Sequence, residues 1–180
     1  MINTVLSTYA KQMEQYIGSF IHQPEGLVEV GTTAAQGEEE SCKIQIFLLN
    51  IERETATGIM SGKASASGRF SSVSAPPVYI NLNVMIASVF SDKRYRESLS
   101  FLSLAITFVQ STPCFTTNDG TKYTVELIAS SWQDASNIWA LFGSKYYPSV
   151  VCKIRRLTFD SNEIKKTEIG IKNIEPNVGI

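Results

Sequence analysis

Histidine occurs once in this chain of 180 residues, and cysteine three times. A Ser–His–Asp or Cys–His site would have to be built on His22, and no nucleophile-elbow sequence accompanies it. At the end of a helical segment, His22 reads as a surface residue. Cys42, Cys114 and Cys152 are odd in number, far apart and free of any CxxC pairing, so they form neither a disulfide framework nor a zinc or redox motif. Their apolar or strand-like contexts predict buried small hydrophobes in a reducing compartment. Charge of one sign is also lacking: Lys and Arg total 16, Asp and Glu 17, for a net charge of −1. Nucleic-acid binding needs clustered Lys and Arg to displace counterions, so no nucleic-acid partner is expected. No apolar run reaches the roughly 18 residues that span a bilayer, and the first residues lack the basic and apolar regions of a signal peptide. The chain is therefore read as cytoplasmic, with no membrane partner. The phosphate-cradling pattern GxxxxGK[ST] and the dinucleotide pattern GxGxxG are both missing. No catalytic, metal or cofactor site is expected, and the chain reads as a structural or interaction protein rather than an enzyme.

What is present is an ordinary globular composition, with 43% hydrophobic and 18% charged residues. At this length a single domain, 1–180, can bury a core without staples. The opening segment is an amphipathic helix. Ile2, Val5, Leu6, Tyr9, Met13, Tyr16, Ile17, Phe20 and Ile21 recur at spacings of three and four, and the pattern stops before Pro24 and Gly26. Each of these residues contributes roughly 1.5–3 kcal/mol if buried, so the helix is expected to dock on a sheet. Leu27–Gly31 could be a short strand. Glu38, Glu39 and Glu40 then fall in a polar loop, where a solvated run is the plain reading.

Period-two alternation marks the strands. In 42–52, Cys42, Ile44, Ile46 and Leu48 share one face, and Phe47, Leu49 and Ile51 the other, as in a central strand. Val78, Ile80, Leu82, Val84 and Ile86 alternate with Tyr79, Asn81, Asn83 and Met85. In 122–130, Tyr123, Val125, Leu127 and Ala129 alternate with Thr124, Glu126 and Ile128. In 149–160, Val150, Cys152 and Ile154 are predicted on one face, with Val151, Lys153, Arg155, Leu157 and Phe159 on the other. A second helix is predicted over 92–111, with a stripe of Leu99, Leu102, Ile106 and Val109 widened by Phe101, Leu104, Ala105 and Phe108. A third begins at Ser131, three residues before Asp134, and ends at Gly143. Trp132 and Trp139 lie two turns apart on its apolar face and read as core. The order predicts an α+β (mixed α/β) fold, a mixed β-sheet flanked by about three helices.

Two segments stand apart. From Thr55 to Ala75 the chain holds six Ser, four Ala and three Gly. A flexible loop is expected there, and loops of this length are often binding segments. Ile59, Met60, Phe70 and Val73, with Lys63 and Arg69 and no acidic residue, make it an interface candidate. In the C-terminal extension, about 163–180, Thr167, Ile169 and Ile171 form a weak period-two run. That run suggests a terminal edge strand, or one completed by a partner chain.

The segments PPVYINLNVMIASVF, YRESLSFLSLAITFVQSTPCFT and NIWALFGSKYYPSVVCKIRRLTFD carry a resemblance. Together they resemble the N-terminal domain of the tail-terminator, or cap, proteins of extracellular contractile injection systems. These systems include the Photorhabdus virulence cassettes and the antifeeding prophage, and the chain is most similar to short forms from Bacteroidetes-type clusters. The residues that carry it are Pro76, Pro77, Tyr79, Asn81 and Leu82, then Phe108 to Gln110, Phe115 and Thr116, then Trp139, Gly143, Tyr146, Pro148 and Ser149. Asn83 and Cys152 depart from it, standing where aromatic residues are expected. The resemblance implies a tail-terminator-like fold and no catalytic residues. It implies a structural cap that forms a hexameric ring on the end of the inner tube and anchors the last sheath layer. The partners would be other copies of the chain, the tail tube protein and the sheath protein. The location would be the cytoplasm during assembly, then an injection particle that can be released. Competing readings are another structural adaptor of the same machine, at tube completion or baseplate, and a small-molecule module using His22 and the acidic loop.

Overall fold

The alternating segments of the sequence become strands of one sheet. The computed structural model describes residues 1–21, 26–31, 42–54, 70–74, 77–143, 145–159 and 164–169. In chain order the elements are α1 (Ile2–Ile21), β1 (Val28–Val30), β2 (Lys43–Arg53), β3 (Phe70–Ser74) and β4 (Val78–Val89). After a 3-10 turn at Asp92–Arg94 come α2 (Tyr95–Ser111), β5 (Cys114–Thr116), β6 (Lys122–Ile128), α3 (Trp132–Leu141), β7 (Ser149–Phe159) and β8 (Ile164–Ile169). Six strands form a mixed sheet in the order β1-β2-β4-β7-β6-β5. The first pair, β1 and β2, is parallel, while β5, β6 and β7 run antiparallel. The expected α+β architecture with three helices is the one observed.

The sheet is covered on both faces. On one, α1 and α2 pack over Ile44, Ile46, Leu82, Val84, Ile86, Cys152 and Ile154. On the other, a smaller cluster joins Phe47, Met85, Ala87 and Val89 to Trp139 of α3 and to Tyr147. The two faces of β2 and β4 divide as their sequence alternation requires. The buried face of α1 carries Val5, Leu6, Tyr9, Ala10, Met13 and Ile17, at spacings of three and four. Phe20, expected on that face, is exposed and instead lies against Tyr16, ring centroids 5.0 Å apart.

Three sequence expectations are corrected. Leu157 does not share a face with Lys153 and Arg155. It is fully buried with Cys152 and Ile154, because Arg156 adopts φ 71° and adds one residue to the alternation. In α2 the core stripe is Ser98, Phe101, Ala105, Phe108 and Val109, so Leu99 faces outward. Phe101, Ala105 and Phe108 of the widening set, with Val109 of the first stripe, mark the side on which the sheet lies. In α3 only Trp139 is buried.

The chain divides into two compact units, Met1–Glu52 with Ile80–Leu157, and Arg53–Tyr79 with Thr158–Ile180. The first holds the helices and both core clusters. In the second, β3 and β8 form a two-stranded antiparallel sheet, with an irregularity between Val73 and Ser74.

Candidate interaction surfaces

Of the interface residues expected from sequence, four lie in strands that pair with one another. Phe70 registers with Ile169, Ser72 with Thr167, and Val73 with Lys166. The Ser-rich stretch therefore contains a strand, β3, whose partner is the C-terminal strand of the same chain. The two segments, read separately in the sequence, form one ribbon. Ile59, Met60, Lys63, Arg69 and Ile171 lie outside the described residues, as do Pro76, His22 and Glu38 to Glu40.

The motif residues have structural roles. Asn81 is buried, and its Oδ1 accepts a hydrogen bond of 3.2 Å from the backbone N–H of Arg156. This bond holds the residue that breaks the alternation of β7, which accounts for a buried amide at this position of β4. Its neighbour Leu82 is fully buried, while Pro77 and Tyr79 are half-buried. The indole N–H of Trp139 donates to Ser149 Oγ at 3.3 Å. The carbonyl of Pro148 accepts from Ser88 N at 2.9 Å. Gly143 sits at φ 64°, a left-handed conformation that ends α3 at little steric cost. Of the two departures, Cys152 fills the main core, and Asn83 Nδ2 donates to Glu52 Oε1 at 2.6 Å. Glu52 also pairs with Lys153 at 2.8 Å, and Arg155 with Glu126 at 2.6 Å.

The surface that the sequence did not reveal is the outer side of α3. Ser131 and Asp134 form a reciprocal capping box, as the sequence predicts, and fix where the helix starts. Trp132 then projects into solvent, 81% exposed, against 3% for Trp139. With Ala135, Ser136, Trp139, Ala140 and Tyr146 it lines a shallow groove of about 520 Å³. Tyr146 is 62% exposed and meets Trp139 edge-on at 6.3 Å. Leu141 is also exposed, on the opposite side of α3, while Phe142 meets Phe47 edge-on at 4.9 Å. This groove is a candidate interaction surface among the described residues. One signal was available in the sequence. A helix of ten residues with Trp132, Ile138, Trp139 and Leu141 carries more apolar surface than one short face can bury.

Reactive chemistry is not assembled among the described residues. No group of three or more His, Cys, Asp or Glu is placed to hold a metal ion. Burial pushes the Cys152 thiol up to about 12, so it stays protonated and inert. Cys42 and Cys114 are only partly buried, contrary to the expectation of three buried thiols. The Tyr9 ring packs against Phe108 and Phe115; its hydroxyl is buried without a hydrogen-bond partner among the described residues, and desolvation holds its pKa far above the usual phenol range. Among the described residues no helix is long and apolar enough to cross a membrane.

The family model described as the Pvc16 N-terminal domain matches residues 2–171. No curated protein sequence matches the chain. Among solved structures, the sheath/tube terminator of PVC, an extracellular contractile injection system, in its extended state superposes with a TM-score of 0.69 at 12% identity, over 100% of this chain and 64% of that one. The tube-terminating cap of the anti-feeding prophage superposes with a TM-score of 0.60 at 12% identity, over 97% of this chain and 61% of that one. The chain thus spans less than two thirds of the length of either structure.

Proposed function

The chain belongs to the Pvc16 N-terminal domain family, and from that membership we propose that it is a structural tail terminator of a contractile injection system. It ends the inner tube and anchors the last layer of sheath, as a ring of copies of itself. Six is the copy number implied by the family resemblance. The observation that carries this reading is the agreement of fold along essentially the whole chain with two proteins that cap tubes. Capping is then a matter of surface complementarity and needs no catalytic group, cofactor, nucleic acid or membrane. The chain acts in the cytoplasm during assembly and afterwards as part of a particle that can be released.

The β3–β8 ribbon is the proposed attachment to tube or sheath. A two-stranded sheet is marginally stable alone. Among the described residues, β3 and β8 pair only with each other, so each leaves one row of backbone donors and acceptors available for strand addition.

Deleting the gene tests the function. Particles of uncontrolled tube length, or without a capped end, are expected in electron micrographs. Particles of normal, uniform length would refute it, and labelled protein found at the baseplate end would make the chain an adaptor instead.

A further inference from the structure

The hairpin that joins β5 to β6 is built on Thr117, Asn118, Asp119, Gly120 and Thr121. Its ends are tied by the Thr117 N–H donating to the Thr121 carbonyl at 3.0 Å. Its turn is closed by the Gly120 N–H donating to the Thr117 carbonyl at 2.9 Å. Gly120 sits at φ 81°, the left-handed position that completes a three-residue hairpin loop and that glycine adopts at no steric cost. The turn thereby sets a glycine directly after an aspartate, and this is the sole Asp–Gly or Asn–Gly step in the chain. Such a step carries its own chemistry. Glycine has no side chain to shield its backbone nitrogen, which can attack the carboxyl of the preceding aspartate. The bond from Gly120 N to Asp119 Cγ forms, the Cγ–OH bond breaks, and water leaves with the amide proton. The product is a five-membered succinimide. Water then opens the ring at either carbonyl. One opening restores aspartate. The other leaves the main chain running through the Asp119 side chain as isoaspartate, one methylene longer, with no net change in mass and no redox partner.

The native turn opposes each requirement of this reaction. Oδ1 of Asp119 accepts from the Thr117 hydroxyl and, at 3.1 Å, from the Thr121 N–H. The attacking nitrogen is held by its bond to the Thr117 carbonyl. Attack therefore needs both ends of the new bond to leave their partners. It also needs the protonated carboxyl, since the hydroxyl leaves as water. The bonds from Thr117 first, then Thr121, hold that carboxyl below the usual carboxylate range and thin out the reactive form at neutral pH. Thr117 is itself buried, and the other acceptor within reach of its hydroxyl is the Thr121 carbonyl at 3.1 Å, in the same turn. We propose that Asp119–Gly120 is a spontaneous isomerisation site of this chain, and that the Thr117 hydroxyl is the guard that keeps it as aspartate in the folded protein. The consequence of losing the guard falls on the sheet edge. Phe115 registers with Tyr123 across β5 and β6, and its ring lies 5.0 Å from that of Tyr9 in the main core. An extra methylene at the turn displaces that register.

The test is to age the purified full-length chain at neutral pH and physiological temperature. Isoaspartate is counted by enzymatic methylation with an isoaspartyl methyltransferase and located by electron-transfer fragmentation. Native wild type is compared with wild type in urea, Thr117→Val and Thr117→Ser, with near-ultraviolet circular dichroism to confirm folding. Native wild type should isomerise at Asp119 at least about tenfold more slowly than the chain in urea, and folded Thr117→Val should lose about tenfold of that protection, the weight of one hydrogen bond to a charged group. Valine keeps the shape of threonine without the hydroxyl, and serine keeps the hydroxyl without the methyl. Thr117→Ser should therefore age as the wild type does, whereas a packing effect alone would give the opposite order. Native wild type ageing as fast as the chain in urea overturns the proposal. So does folded Thr117→Val ageing as slowly as wild type, Thr117→Ser ageing as fast as the valine variant, or isoaspartate arising in urea at residues other than Asp119. Should Thr117→Val not fold, Thr117→Ala replaces it and is read by the same outcomes.

Discussion

Asn81 and Arg156 show how one hydrogen bond fixes the register of a strand. A non-glycine residue at φ 71° costs roughly 1–2 kcal/mol, which Arg156 offsets through the bond from its backbone N–H to Asn81 Oδ1. Asn81→Leu should therefore lose about 0.5–1.5 kcal/mol in denaturant unfolding, since it takes the acceptor from the part-buried N–H of Arg156. Arg156→Gly should be neutral or stabilising by up to about 1 kcal/mol, because glycine tolerates that conformation. A destabilising Arg156→Gly would mean that the guanidinium contributes more than the backbone. Cys152 makes a second prediction. Its thiol is raised from the ordinary 9.0 to about 12 by burial, so folding favours the protonated form. The stability linked to it is complete below about pH 9 and declines as pH rises towards 12. With a disulfide thiol reagent at neutral pH, Cys42 and Cys114 should react in the native protein and Cys152 only on unfolding. Rapid reaction of all three thiols would contradict its burial.

At the scale of elements, caps and turns are legible in the sequence and the outward faces are not. The capping box of α3 is visible in the spacing of Ser131 and Asp134, and the turn at Gly143 in the glycine itself. Ser131→Ala should cost about 1 kcal/mol by removing the acceptor for the Asp134 N–H, measured as a shift in unfolding midpoint. Asp134 adds a pH dependence of known sign. Its folded pKa is depressed by hydrogen bonds from Ser131, so its contribution is present above the ordinary carboxylate range and is lost as pH falls through the lower, folded value. The exposure of Trp132 was not legible, because helical periodicity places two tryptophans on one side without saying what lies opposite. The α2 stripe failed for the same reason: with apolar residues on most of its circumference, the sequence leaves open which side meets the sheet. The ribbon was hidden differently, since β3 is a Ser-rich strand with little alternation and its partner lies almost a hundred residues away.

At the scale of the whole molecule, the sheet order uses neither β3 nor β8. Removing residues 58–72 should therefore leave the first unit folded, with unchanged circular dichroism and Trp139 still protected from quenchers. It should weaken attachment of the chain to tails, because the deletion takes the Phe70 and Ser72 pairings away from Ile169 and Thr167. Full attachment after this deletion would exclude the ribbon as a docking element. The sequence by itself determined the fold class, the helix starts and ends, the two faces of β2 and β4, and the family likeness. Those properties follow from local periodicity, caps and turns, which act within a few residues. The tertiary structure decided the partner of the C-terminal strand, the parity of β7 beyond Arg156, and which aromatics face water. These depend on what packs against each element from distant parts of the chain. No local pattern encodes that, because burial belongs to the pair of surfaces that meet and not to either alone.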